Sequence, residues 1–200
     1  MPTERQRNTD GRIARGERTR DAIVEAHAEL LRAGVLKPTG KIIAEKAGIS
    51  LRTLWLNFKD LEALLEATTG YWLEADAAQW DPIAQSLPLQ QRIDIFCRQR
   101  ARRMEHLAPA AKSALLGEPF SAALAASRAK HVERLQGDLL AVFPDRLEDG
   151  TGPHRTMALA LFVAASVTTW TVLRDDFSLG ISDATAVMRD TFTALLEPRT

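Results

Sequence analysis

The residues from Thr39 to Phe58, TGKIIAEKAGISLRTLWLNF, leave this chain few ways to fold. Ile43, Ala44, Ala47, Ile49, Leu54 and Phe58 recur at the three- and four-residue spacing of helices, not the alternation of a strand. Between the two apolar groups, Ala47-Gly48-Ile49-Ser50 reads as a tight turn, with Gly48 free to take the positive φ that ends a helix. Thr39 and Ser50 stand where a helix needs a hydroxyl to accept from its first unpaired N–H groups. The pattern predicts one short helix over Gly40–Ala47 and a second from Leu51 to about Asn57, held at a steep angle by the small Ala44 and Ala47.

The same helical spacing runs through nearly the whole chain, and strictly alternating β-branched runs are missing, so the expected fold class is all-α. Gly and Pro punctuation divides it further. A first helix is expected over Gly16–Ala33, stopping at Gly34, and a fourth over Asp60–Trp80, ended by Asp81-Pro82. Further helices are expected over Leu89–Leu107, Pro109–Leu116, Pro119–Val142, His154–Asp176 and Ser182–Leu196, with 144–153 as a surface loop. Three parts follow: a flexible basic arm over 1–15, a three-helix domain over 16–62, and a helical body over 63–200.

A chain of 200 residues buries enough surface to need neither disulfide nor structural metal. The single Cys97 cannot close an intramolecular bridge, and no Cys/His cluster has metal-ligand spacing, so no metal and no cofactor are expected. The arginine-rich N-terminus lacks the apolar core of a signal peptide, and the longest apolar stretch, Met157–Val167, is too short to span a bilayer. A soluble cytoplasmic protein without a membrane partner is expected. Net charge is zero, but 1–60 carry twelve Lys/Arg against eight Asp/Glu while 61–200 carry fourteen against eighteen, a basic head on an acidic body.

Two short helices joined in this way can place the second in the major groove of DNA while the first crosses the backbone. The motif resembles the TetR family of regulators, whose signature T-x-x-x-I-A-x-x-A-G-V-S-x-x-T-L-Y-x-H-F-x-x-K-x-x-L is met at Thr39, Ile43, Ala44, Ala47, Gly48, Ser50, Thr53, Leu54, Phe58 and Leu64. Ile49 replaces the family's Val. The match covers about residues 17–66; beyond it only length and helical layout are similar. Trp55 stands where the family usually has Tyr, Asn57 where it has His, and Leu61 where it has a phosphate-contacting Lys. Trp55 and Asn57 can still donate hydrogen bonds; Leu61 cannot replace an ammonium, so either a weaker phosphate contact is expected or compensation by Lys59, Arg52, Lys41 and the arm arginines Arg5, Arg7, Arg12 and Arg15.

The resemblance implies a homodimeric repressor released from a palindromic double-stranded DNA operator by a small-molecule effector in the body. The expected DNA-binding residues are Thr39, Lys41, Ser50, Leu51, Arg52, Thr53, Trp55, Leu56, Asn57 and Lys59. Arg52 suits guanine edges, and Leu51 and Leu56 suit thymine methyls. The expected effector residues are Trp72, Phe96, Cys97, Arg100, Met104, His131, Phe162 and Trp170, although each is also the kind of residue that simply fills a core. An acidic body with several tryptophans is compatible with an aromatic or cationic effector. The apolar segment Met157–Leu173 and the stripe Ala184, Val187, Met188, Phe192 and Leu195 are expected to form the dimer face.

Enzymatic readings find no support in the sequence. It has no Glu-x-x-His pair for a di-iron bundle, no Gly-x-Ser-x-Gly elbow and no phosphate-binding glycine loop. An activator, or a helix-turn-helix scaffold serving protein association, stands as the alternative function, and Leu61 is the residue that favours the scaffold.

Overall fold

In the computed structural model, which describes the backbone over 4–147 and 152–197 and the side chains over 14–147 and 154–197, every regular element is helical and no strand occurs among the described residues. The helices are α1 (Glu4–Arg32), α2 (Gly40–Lys46), α3 (Leu51–Asn57), α4 (Leu61–Ala77), α5 (Leu89–Gly117), α6 (Ala122–Val142), α7 (Pro144–Leu147), α8 (Gly152–Ala164), α9 (Val167–Thr171) and α10 (Ile181–Leu196). The backbone groups into two compact units. The first runs to Leu73 and resumes over Pro109–Ser127; the second comprises Glu74–Ala108 and the chain from Arg128 onward.

The core of the first unit is Ile23, Val24, Ile43, Ala44, Leu54, Phe58 and Leu64, with Ala47 and Ile49 packed against it. All six apolar residues read from the 39–58 pattern therefore meet in one cluster. Gly34 (φ 85°) and Gly48 (φ 66°) end α1 and α2 in the left-handed region, where Val35 N–H returns to the Leu30 carbonyl and Ile49 N–H to that of Ala44. Within this unit Ser113 Oγ donates to the Leu36 carbonyl at 2.6 Å and Ser121 Oγ to Glu62 at 2.7 Å, so the 109–127 segment is hydrogen-bonded to the ends of the helices around the motif.

The core of the second unit centres on Phe96, Phe143 and Phe192, whose ring centroids lie 5.2 to 6.0 Å apart, with Trp80 edge-on to Phe96 at 6.1 Å. Arg92 grips Asp145 through two nitrogens at 2.8 and 3.1 Å and donates to the Val142 carbonyl at 2.7 Å, closing the α6–α7 corner.

Four boundaries differ from the sequence expectation. α1 begins at Glu4, not near Gly16, because helix propagates through backbone bonds and residues such as Glu, Gln and Arg that need no apolar face. The side chains of Arg5, Arg7 and Arg12 lie outside the described residues. α5 continues through Pro109, expected to divide it; the proline removes one backbone donor without ending the helix. The loop expected over 144–153 opens with the helical turn α7, and its stretch 148–151 lies outside the described residues. Finally, His154–Asp176 is not one helix: Ser166 caps α9 by accepting from Thr169 N–H at 3.1 Å, and the chain bends by 42° between the two helices before a π-helical stretch, Val172–Asp176. No single described helix is long and apolar enough to cross a membrane.

Candidate nucleic-acid interface

The capping hydroxyls stand as the sequence pattern requires. Thr39 Oγ1 accepts from Ile42 N–H at 3.4 Å, and Ser50 Oγ accepts from Thr53 N–H at 3.0 Å while sharing a 2.8 Å bond with the Thr53 hydroxyl. Buried Leu54 fixes one face of α3 to the core, so its other face is turned outward. That face carries Leu51, Arg52, Trp55 and Leu56, all exposed, with Leu56 retaining 74% of its accessible surface. An isolated leucine so exposed is unremarkable, but two of them flanking an arginine on a seven-residue helix form a mixed apolar and basic strip.

Lys41 and Lys59 are solvated, each 3.9 Å from a neighbouring carboxylate (Glu45 and Asp60). Arg52 has no ion-pair partner among the described residues. Asn57 is half-buried, and its amide donates to the Thr53 carbonyl at 2.8 Å, leaving one N–H for anything outside. Leu61 is exposed and offers no polar group. Trp55 lies against Gly40, which accounts for a glycine at the first position of α2.

One residue that positions α3 is absent from the sequence expectation. Arg20, on α1, donates from Nη1 to the Asn57 carbonyl at 2.8 Å and stacks its guanidinium 4.0 Å from the Phe58 ring centroid. It thereby satisfies a carbonyl that the end of α3 leaves open. With donor and acceptor 37 positions apart, no local pattern could reveal it.

The expected effector residues do not converge within one unit. Trp72 belongs to the first, with the Arg32 guanidinium 4.9 Å from its ring. The other seven lie in the second, where Phe96, Cys97, Met104 and Trp170 are core and Phe162 packs against them. Burial pushes the Cys97 thiol up to about 12, so it is an inert apolar filler. Trp170 donates from Nε1 to Glu105 at 2.7 Å, and Arg174 donates to the same carboxylate at 2.9 Å. Burial lowers the pKa of His131, and Arg100 donates to the Ala165 carbonyl at 2.8 Å. No group of His, Cys, Asp or Glu among the described residues could hold a metal ion.

The same unit carries an open apolar groove of about 620 Å³ on α8, α9, the π-helical stretch and α10, lined among others by Leu159, Ala160, Val163, Leu173, Val187 and Leu195. The stripe read on α10 divides there: Ala184, Met188 and Phe192 turn into the unit's own core, while Val187 and Leu195 face the groove. On α8 Leu161 is buried while Leu159 and Val163 are exposed, so this helix does present two apolar sides.

These elements define an all-α chain carrying a helix-turn-helix unit. In overall fold it is TetR-like. A transcriptional regulator from Rhodococcus sp. Rha1 superposes with a TM-score of 0.69 at 16% identity, over 90% of this chain and 95% of that one. A candidate TetR-family transcriptional regulator from Mesorhizobium loti superposes with a TM-score of 0.69 at 15% identity, over 91% and 96%. At such identities the likeness is one of fold. No family model matches the sequence, and no curated protein matches it.

Proposed function

We infer that this protein is a transcriptional regulator that binds double-stranded DNA through α3 and its surroundings. The observation that carries this is the outward strip of Leu51, Arg52, Trp55 and Leu56, locked on its inner side by Leu54 and flanked by the solvated Lys41 and Lys59. An arginine fork that no carboxylate holds is free for guanine edges, and exposed leucines suit thymine methyls. Thr39, Ser50 and Thr53 act through the caps they form, and Asn57 through its remaining N–H.

The regulator acts as a homodimer on a palindromic operator in the cytoplasm, with the α8–α10 groove as the surface joined to its copy. Such a groove, apolar and exposed, is the feature a symmetric interface needs. It represses by occupying the operator, and a small effector taken up by the second unit releases it.

Selection from random duplexes followed by fluorescence anisotropy tests DNA binding. A single enriched palindrome is expected, with Arg52→Ala costing about 1–3 kcal/mol and relaxing preference at one base. Arg52→Ala binding the same palindrome with unchanged affinity and preference would sink the assignment of α3 as the reading helix.

A further inference from the structure

Arg20 meets the end of α3 twice: Nη1 donates to the Asn57 carbonyl at 2.8 Å, and the guanidinium lies over the buried Phe58 ring, 4.0 Å from its centroid. The arginine itself stays exposed. Water can satisfy a carbonyl at an exposed helix end, so capping alone does not call for an arginine there. A guanidinium carries five N–H donors in one rigid plane, and Asn57 takes a single one. The rest meet no acceptor among the described residues.

Other cations of the same unit are differently placed. Lys46 is bound to Glu29 at 2.8 Å, and Arg32 donates to the Tyr71 hydroxyl at 3.1 Å while lying over the Trp72 ring. Arg20 is held just as firmly, but by a neutral carbonyl and a ring, so its charge is left over. Glu17, one turn before it on α1, forms no ion pair with it.

The seven residues of α3 span about 10 Å, no more than the roughly 12 Å width of the major groove. A helix so short, with Leu51, Arg52, Trp55 and Leu56 turned to the bases, ends beside a wall of phosphates. The open carbonyls at its C-terminal end carry negative partial charge, which repels phosphate. Arg20 offsets that charge at Asn57 and sets a positive edge in the same place. The turn that follows adds one cation, the solvated Lys59, before Asp60 and Leu61, and Asp60 Oδ1 is occupied by Ala63 N–H at 2.8 Å.

We propose that Arg20 is a DNA phosphate-binding residue, held ready by Asn57 and Phe58, which takes a backbone phosphate beside the C-terminal end of α3. The proposal rests on the reading of α3 above and adds to it a residue from a different helix. A phosphate contact carries no sequence information; it fixes the depth and tilt of α3 so that Arg52 meets its base. Because the guanidinium is already ordered, binding has little left to immobilise.

Anisotropy on the full-length protein tests this with the palindrome selected by the parent, an unrelated duplex, and the palindrome with single phosphates replaced by neutral methylphosphonates. Arg20→Gln keeps a donor for Asn57 but no charge. It should bind both ordinary duplexes about tenfold more weakly with base preference retained. The slope of log affinity against log salt should fall by about one for each bound copy of the chain. At one phosphate per half-site, a methylphosphonate should weaken the parent clearly and Arg20→Gln hardly at all. A salt slope and a methylphosphonate profile equal to the parent's overturn the proposal, because a residue that only caps α3 moves neither. Thermal unfolding reports whether Arg20→Gln folds. If it does not, Arg20→Lys decides: an ammonium without the fork and the stacked plane should lower the cost of that one methylphosphonate, and an unchanged cost overturns the proposal. A parent that binds no duplex removes the DNA reading together with the phosphate contact. Base preference that depends on Arg52, with a salt slope indifferent to Arg20, keeps α3 as the reading helix and removes the phosphate contact alone.

Discussion

A Cβ placed on Gly40 would stand 2.5 Å from the indole Cζ2 of Trp55, closer than any two such atoms sit in a folded protein. The first residue of α2 and the middle of α3 are therefore in contact through a bare backbone. Gly40→Ala must push the indole outward or tilt α3. We expect a loss of about 1–3 kcal/mol in chemical denaturation, together with weaker operator binding by anisotropy. Unchanged values for both would show that Trp55 swings away freely and does not register the two helices.

His27 is buried on α1 with Nδ1 2.8 Å from the Thr68 hydroxyl, and burial pulls its pKa down from 6.5 to about 4. The folded state thus resists a proton that the unfolded chain accepts. Stability from this source is complete above pH 6.5 and is lost as pH falls towards 4. The loss amounts to roughly 3 kcal/mol over that window. Urea denaturation at stepwise pH, compared with His27→Gln, isolates it: the parent should lose more stability than the variant, and parallel curves would sink the assignment.

Asp76 is 1% exposed and faces Arg103 in a fork. Burial alone would raise its pKa, but hydrogen bonds and charge from Arg103, with Arg100 and Arg134 behind them, hold the carboxyl below its ordinary range. Asp76→Asn leaves Arg103 with only Asp138 and removes the negative charge that Arg134 also reaches. A cost of about 3–5 kcal/mol is expected, measured by thermal or chemical unfolding. A much smaller loss would mean that Asp138 and water satisfy Arg103 unaided.

Val163 keeps 59% of its surface although it lines the apolar groove on α8. Val163→Asp puts a charge on that face without touching the core. Sedimentation should show a monomer at micromolar concentration, and operator affinity should drop on the order of a hundredfold as the two heads act separately. A variant that stays dimeric would move the interface elsewhere.

Where function depends on local spacing, the sequence was legible. The 39–58 pattern located both caps, the Gly48 turn and all six core contacts, since each rests on residues within one or two turns of helix. The outward placement of Arg52 and Leu56 followed from the same arithmetic. What stayed hidden lies in distant pairing. Arg20 reaches Asn57 across 37 residues, and Arg100 reaches Ala165 across 65; neither leaves a periodic trace. Punctuation misled in both directions: Pro109 did not stop α5, and Ser166 broke a helix that composition made continuous. Trp72 and Phe96 looked alike as aromatic candidates for one cavity, yet they fall in different compact units.

Three helices change allegiance along their own length: α4 between Leu73 and Glu74, α5 between Ala108 and Pro109, and α6 between Ser127 and Arg128. The unit that carries α3 is consequently discontinuous in the gene. A head excised after Leu73 would forfeit Ser113 and Ser121, and with them the hydrogen bonds to Leu36 and Glu62. For anyone wishing to graft this unit onto another protein, a single fusion junction is the wrong scissors: a chimera that keeps both units whole must recombine at three places, each inside a helix.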